Sequence, residues 1–185
     1  MGVLLVSAQR SGTGKTSLIA ALLTQMAANG QRVAYYKPFS ASPGNDADVS
    51  FITETILAGP GGPPVPNFLP LPQVSSGSPL ITESQAQSIR QSLSEIQSAA
   101  DVILIEAPDS LSPTGDAWSL PSDLADLIES STLLMFPYST GMDSQTVLKA
   151  AEPYSNHLAG IVINGMTSYR KRDVENGLLS QLRSA

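Results

Sequence analysis

The residue types that phosphate chemistry needs stand close together near the start of the chain. The stretch Ala8-Gln9-Arg10-Ser11-Gly12-Thr13-Gly14-Lys15-Thr16-Ser17 ends an apolar run and opens a helical pattern. A Gly/Ser-rich loop that closes on Gly-Lys-Thr between a strand and a helix is built to hold phosphate. Its successive backbone N–H groups turn inward toward an anion, and the helix that follows presents its positive end. Lys15 would reach the β- and γ-phosphates of a nucleotide, and the Thr16 hydroxyl would ligate Mg²⁺. Gly12, Thr13, Gly14, Lys15, Thr16 and Ser17 are therefore the expected phosphate contacts. The loop departs from the strict spacing: Gln9 stands where the first Gly is required, and Ala8 where a one-residue-longer variant requires it.

Two carboxylates complete the chemistry on paper. Asp101-Val102-Ile103-Leu104-Ile105-Glu106 is an apolar strand ending in an acid, similar to a Walker B element with Glu in place of Asp. Asp48 opens a helical stretch after the second strand, with Asp46 competing for the same role. Mg²⁺ takes hard oxygen ligands, commonly one or two carboxylates together with phosphates and water, so Thr16, Asp48 and Glu106 form the candidate metal set. The plainer readings are a solvated strand end for Glu106 and helix capping for Asp48. Lys37, at the end of the second strand, is either a snorkelling surface lysine or a second cation for a substrate oxyanion beside the γ-phosphate. Ser40 and Ser42 follow it in the same loop and are the candidate hydroxyl contacts to that substrate. His157 and Arg170-Lys171-Arg172 read as solvated.

These residues must be carried by alternating strands and helices. Residues 2–7, 31–37, 101–106, 132–136 and 158–163 read as buried strands, short apolar runs without alternation. Between them fall helical patterns. The first carries Leu18, Ile19, Leu22, Leu23 and Met26 and stops near Asn29-Gly30. Others run over about 48–57, from Thr82-Glu83-Ser84-Gln85 (capping-box spacing) to Ala99, then 120–130 and 145–154, with a last one from Tyr169 to the end. Strand–helix–strand repetition predicts a mostly parallel sheet covered on both faces, with Thr16, Asp48 and Glu106 at one edge. The Pro/Gly-rich residues 59–72 read as a long surface connection inside a single domain spanning 1–185, with Phe68 and Leu69 as a short edge element.

Composition narrows the partners. Hydrophobic residues make up 42% of the 185, ample for a core. The net charge of −6 excludes nucleic acid and anionic membrane as general partners. There is no cysteine, hence no disulfide and no thiolate metal site. No apolar run has transmembrane length, no signal peptide opens the chain, and a cytoplasmic location is the expectation.

Taken together, these residues resemble the dethiobiotin synthetase-like P-loop family. The resemblance rests on Gly14-Lys15-Thr16, on Tyr36-Lys37-Pro38 with serines after it, and on Asp48 within Asn45-Asp46-Ala47-Asp48. Glu106 and the Leu158-Ala159-Gly160-Ile161-Val162-Ile163-Asn164 segment complete it. It implies a P-loop NTPase three-layer sandwich that binds ATP and Mg²⁺, with Asn164 recognising the base and a homodimer as the common assembly. Two segments depart from the biotin enzymes: Gln9-Arg10-Ser11-Gly12 in the loop, and Ala107-Pro108-Asp109-Ser110 after the Walker B-like strand. The chain looks closer to the dethiobiotin-synthetase-like domains that precede phosphotransacetylase or DRTGG domains, and it is shorter than relatives that continue with a further strand. In dimeric MinD-like ATPases a signature lysine would fall at Arg10. Two functions follow as expectations. One is an ATP-dependent, carboxylate- or carbamate-activating ligase using Lys15 and Lys37. The other is a nucleotide-sensing regulatory domain acting on a partner domain.

Overall fold

The computed structural model describes residues 2–42, 44–58, 66, 68–73, 79–112 and 116–184. Five parallel strands form its sheet: β1 (Gly2–Ala8), β2 (Val33–Tyr36), β5 (Val102–Glu106), β6 (Ser131–Pro137) and β7 (Leu158–Asn164), in the spatial order β2-β5-β1-β6-β7. Two further two-residue strands, β3 (Phe39–Ser40) and β4 (Leu69–Pro70), pair with each other in parallel. From β1 the chain runs to the edge at β2, returns to β5, and then crosses to β6 and β7. The direction of winding reverses at β1, so the carboxyl end of β1 is the switch point at which open α/β sheets take ligands.

Side-chain alternation sorts the two faces. Ile103 and Ile105 join Leu5, Tyr36, Leu134 and Phe136 on one face, while Leu104 joins Val6, Tyr35 and Met135 on the other. Helix α1 (Lys15–Ala28) covers the second face through Ile19 and Leu23, both fully buried, together with Ile52. Helices α3 (Glu83–Gln97), α4 (Leu120–Ile128) and α5 (Ser144–Ala151) supply the cover on the first. The result is the expected helix–sheet–helix sandwich. Because side chains alternate, Glu106 shares the α1 face with Leu104, which aims its carboxylate at the phosphate-loop helix.

Element boundaries follow local chemistry. Helix α3 starts with a full capping box: Gln85 N–H donates to the Thr82 hydroxyl oxygen and the Gln85 side chain accepts from Thr82 N–H. The helix expected at 48–57 begins as α2 (Ala47–Phe51) and widens over Ile52–Ile56, where Leu57 N–H reaches Ile52 C=O five residues back. The closing helix expected from Tyr169 is present as an unbroken helical run over 168–184, which enters as a tight 3₁₀ turn over Ser168–Arg170 and widens over Glu175–Leu179, around Gly177. Of the surface connection expected over 59–72, residues 59–65 and 67 lie outside the described residues. Its far end forms β4 from Leu69 and Pro70, one residue beyond the Phe68-Leu69 element expected.

Candidate functional site

The loop between β1 and α1 turns at two glycines with left-handed backbone, Gly12 at φ 72° and Gly14 at φ 97°. A side chain at Gly14 would also meet Asn164, whose Nδ2 lies 2.8 Å from the position a Cβ would take. The geometry thus demands glycine here twice over. Thr13 is buried and its hydroxyl donates to the Arg10 carbonyl at 2.6 Å, tightening the turn. Asn164 donates from Nδ2 to the Thr13 carbonyl at 2.8 Å, tying the end of β7 to the loop. The first N–H groups of α1, on Lys15, Thr16 and Ser17, have no partner within the helix, and the Gly14 cap adds no side-chain acceptor.

Around this loop lies an open cleft of about 930 Å³, bordered by residues 10–17, Lys37, Asp48, Glu106 and Asp109. Lys15 is largely buried and its ammonium donates to the Asp109 carboxylate in a close ion pair. The Thr16 hydroxyl donates to Glu106 Oε1 at 3.0 Å, and the buried Tyr35 hydroxyl donates to Oε2 at 2.9 Å. Burial pushes the Glu106 carboxyl above the usual carboxylate range, against the pull of Lys37 and Lys15 and the Tyr35 hydrogen bond. Burial, with the neighbouring Glu106 charge, likewise pushes the Tyr35 phenol up, so it stays a donor.

Lys37 sits one residue past β2. β2 and β5 run in register with Tyr36 beside Ile105, so the next step places Lys37 beside Glu106. Its ammonium is held by Asp46 at 2.9 Å and by Asp48 at 2.7 Å. Burial alone would lower the lysine's affinity for its proton. The Asp48 hydrogen bond, Glu106 and Asp46 outweigh that and raise it. The buried Asp46 is the true cap of α2, accepting from Asp48 N–H at 3.0 Å and Val49 N–H at 3.2 Å, and it also accepts from the Ser40 hydroxyl. Its burial would raise its carboxyl, yet Ser40, Lys37 and Val49 together hold it below the usual range.

The candidates from sequence therefore fall into three groups. Gly12 to Thr16, Lys37, Asp48 and Glu106 converge on one cleft, with Ser17 exposed at its rim. Ser40 and Ser42 stand outside the lining: the Ser40 hydroxyl is buried against Asp46 and accepts from Ser42 N–H at 3.0 Å, and Ser42 itself is exposed. Asn164 reaches the cleft's edge, where its amide holds the loop backbone. His157 is not solvated; its ring is mostly buried, with Nε2 2.9 Å from Asp126. Capping, weighed for Asp48, belongs to Asp46. Sequence reasoning passed over Asp109 and Tyr35 as site residues. Tyr35 could have been found from strand parity, since it shares Glu106's face. Asp109 lies in an irregular loop with no period to read.

Mg²⁺ fits the donors present. Thr16 and Glu106 place two hard oxygens side by side, and Asp48 borders the same cleft. Among the described residues no three His, Asp or Glu side chains converge tightly enough to hold a metal alone.

A parallel sheet ordered 2-3-1-4-5 by its main strands, with a glycine-turned Gly-Lys-Thr loop at its switch point, defines a P-loop NTPase. The chain belongs to the AAA domain family, matched over residues 3–182, a family that includes dethiobiotin synthetase-like proteins. The family, with a glycine-turned Gly-Lys-Thr loop at the switch point of the sheet, implies nucleotide binding. Solved structures of similar fold include MinD from Aquifex aeolicus, at TM-score 0.57 and 16% identity over 99% of this chain and 78% of that one. The signal recognition particle 54 kDa protein from Aeropyrum pernix, in complex with GDP, is similar at TM-score 0.63 and 15% identity, over 90% of this chain and 36% of that one. The kinase domain of the Escherichia coli tyrosine kinase ETK is similar at TM-score 0.54 and 13% identity, over 90% and 68%. At these identities the likeness is one of fold. The chain spans about half the length of the signal recognition particle receptors it also resembles, covering 49% of one FtsY chain. No curated protein sequence matches it. Among the described residues, no helix is long and apolar enough to cross a membrane.

Proposed function

We propose that the protein binds ATP with Mg²⁺ and activates a small oxyanion by phosphoryl transfer, as a dethiobiotin synthetase-like ligase would. The observation that carries this reading is the convergence of Lys15, Thr16 and Glu106 at the carboxyl ends of β1 and β5, under a loop whose glycines leave backbone N–H groups open to phosphate. Lys15 would neutralise charge on the transferred group, and Thr16, Glu106 and Asp48 would hold the Mg²⁺. The ion supplies Lewis-acid polarisation of the phosphoryl oxygens when bound. No protein nucleophile is needed, because the substrate oxyanion would attack the γ-phosphorus while the bond to the β,γ-bridging oxygen breaks and ADP leaves. Lys37 is the cation best placed to orient that oxyanion, provided Asp48 turns toward the metal and leaves the ammonium a free donor. Asn164, against the loop's backbone, is the residue for the base side of the nucleotide, and the assembly is expected to be a homodimer in the cytoplasm.

Replacing Lys15 with Ala is expected to abolish ATP binding in calorimetry with Mg²⁺ while thermal unfolding stays cooperative. Unchanged affinity would reject the phosphate-site assignment. One observation favours a second reading, a nucleotide sensor that turns ATP over slowly or not at all: both lysines of the cleft are already committed to protein carboxylates. ATP consumption with and without diaminononanoate and bicarbonate separates the two. Stimulated turnover supports the ligase and rejects the sensor.

A further inference from the structure

The segment after β5 places a carboxylate on the very ammonium that a nucleotide needs. Asp109 pairs with Lys15, and the backbone on either side of it is fixed. Pro108 before it is buried. Ser110 after it is held twice to the Ala8 carbonyl, by its N–H at 3.3 Å and its hydroxyl at 2.8 Å. The Asp109 carbonyl accepts the indole N–H of Trp118 at 2.6 Å, and Trp118 N–H donates to the Ser110 carbonyl at 3.3 Å. Trp118 and Leu111 in turn form a wall common to the phosphate cleft and a neighbouring apolar cavity of about 450 Å³.

Charge makes the pairing consequential. Among the described residues, Arg10, Lys15 and Lys37 border the cleft against Asp48, Glu106 and Asp109. Three cations thus meet three carboxylates, and the surplus of positive charge that an incoming polyphosphate requires is missing while Asp109 stays on Lys15. An ammonium has three protons and could in principle serve two anions, but a carboxylate and a phosphate crowded on one ammonium repel.

We propose that Asp109 is an internal competitor for the phosphate site: its carboxylate and the terminal phosphate of a bound nucleotide exchange on Lys15, and Trp118 registers the exchange through the Asp109 carbonyl. This deepens the nucleotide-binding reading and rests on it. The protein holds its phosphate lysine on an intramolecular anion, so nucleotide affinity is reduced by the fraction of molecules in which that pair is intact.

The test is a calorimetric titration of the full chain with Mg²⁺–ATP, comparing wild type with Asp109→Asn, which removes the charge at nearly constant volume, and Asp109→Ala. Both variants are expected to bind about tenfold tighter, the gain that corresponds to a pair intact in roughly nine molecules in ten. The gain should persist when inorganic tripolyphosphate replaces ATP, since the competition is for phosphate alone. Trp118 is the only tryptophan, so intrinsic emission isolates it. Asp109→Asn without ligand should already show the emission that wild type reaches only with Mg²⁺–ATP. Equal or weaker affinity in both variants, with cooperative unfolding retained, overturns the exchange and leaves nucleotide binding standing. No binding by wild type or by either variant overturns the nucleotide reading, and the exchange with it. Binding by the variants alone would be the strongest support for the exchange.

Discussion

The two ends of the central sheet carry the same kinds of ion pair in opposite surroundings. At the amino end, Arg32 before β2 meets Asp101 before β5, with guanidinium and carboxylate bonded at 2.6 Å and both well exposed. At the carboxyl end, Lys15 meets Asp109 and Lys37 meets Asp46 and Asp48, with both lysines largely buried. An exposed pair trades water for a partner at almost no gain. A half-buried one has lost its water and must have every donor and acceptor met. The carboxyl end accordingly shows partners beyond the ion pairs: Ser40 and two backbone N–H groups on Asp46, Thr16 and Tyr35 on Glu106. The amino end can lose a charge and rehydrate. The carboxyl end can lose one only if something else of the same sign arrives, which is what a ligand site requires.

The sharpest way to break this contrast is at Asp46. Asp46→Ala removes the α2 cap, strands the Lys37 ammonium with Asp48 alone and leaves the Ser40 hydroxyl without its acceptor. The expected loss is about 2–4 kcal/mol by urea denaturation, from a lost cap and a broken half-buried ion pair. Because the folded Asp46 carboxyl is held below its ordinary value, its contribution is present above the ordinary carboxylate range. That contribution disappears as pH falls through the lowered value. Asp46→Ala should therefore narrow its deficit in acid, and a deficit constant from neutral pH to strong acid would count against the assignment.

Glu106 has the opposite sign. Its carboxyl is raised by burial, so the folded protein holds that proton more tightly than the unfolded chain does. Stability from this group is greatest below the ordinary carboxylate range and declines as pH rises through the window up to the raised value. Glu106→Gln should flatten that decline in denaturation midpoints followed across pH, while weakening Mg²⁺-dependent ATP binding. A profile as steep as wild type would mean that Glu106 does not titrate in the window. Tyr35→Phe is a smaller perturbation of the same group. It deletes one hydrogen bond to a charged acceptor and is expected to cost about 1–3 kcal/mol. It should raise the Mg²⁺ concentration needed for ATP binding more than it affects phosphate alone.

Much of this arrangement was legible in the sequence. The five strands were visible because parallel strands buried on both faces read as short unbroken apolar runs, and the phosphate loop because its chemistry is local and ordered along the chain. Strand ends alone place Glu106 and Lys37 at a common edge. What escaped were properties set by contacts distant in sequence. Ser40 and Ser42 have suitable hydroxyls in the right loop, but the capping geometry of Asp46 turns Ser40 inward. His157 looked solvated, and only the packing of α4 brings Asp126 to its ring. Asp109 stands 94 residues from the lysine it binds, in a loop whose path no periodicity constrains.

The smallest effect belongs to the amino end and is the control for the rest. Asp101 accepts from both the side chain and the backbone N–H of Arg32, and both side chains stand in solvent. Arg32→Ala leaves Asp101 free to take water in place of the guanidinium while keeping the backbone contact. The denaturation midpoint should shift least of all the variants here, and what shift there is should vanish in molar salt, where exposed charges no longer see one another. ATP affinity should be unaffected, since the pair lies at the far end of the sheet. If Arg32→Ala proved as damaging as Asp46→Ala, at low and high salt alike, the distinction between the two ends would not be one of burial. The stability of both would then have to be sought in the strand pairing of β2 with β5, which the two sites share.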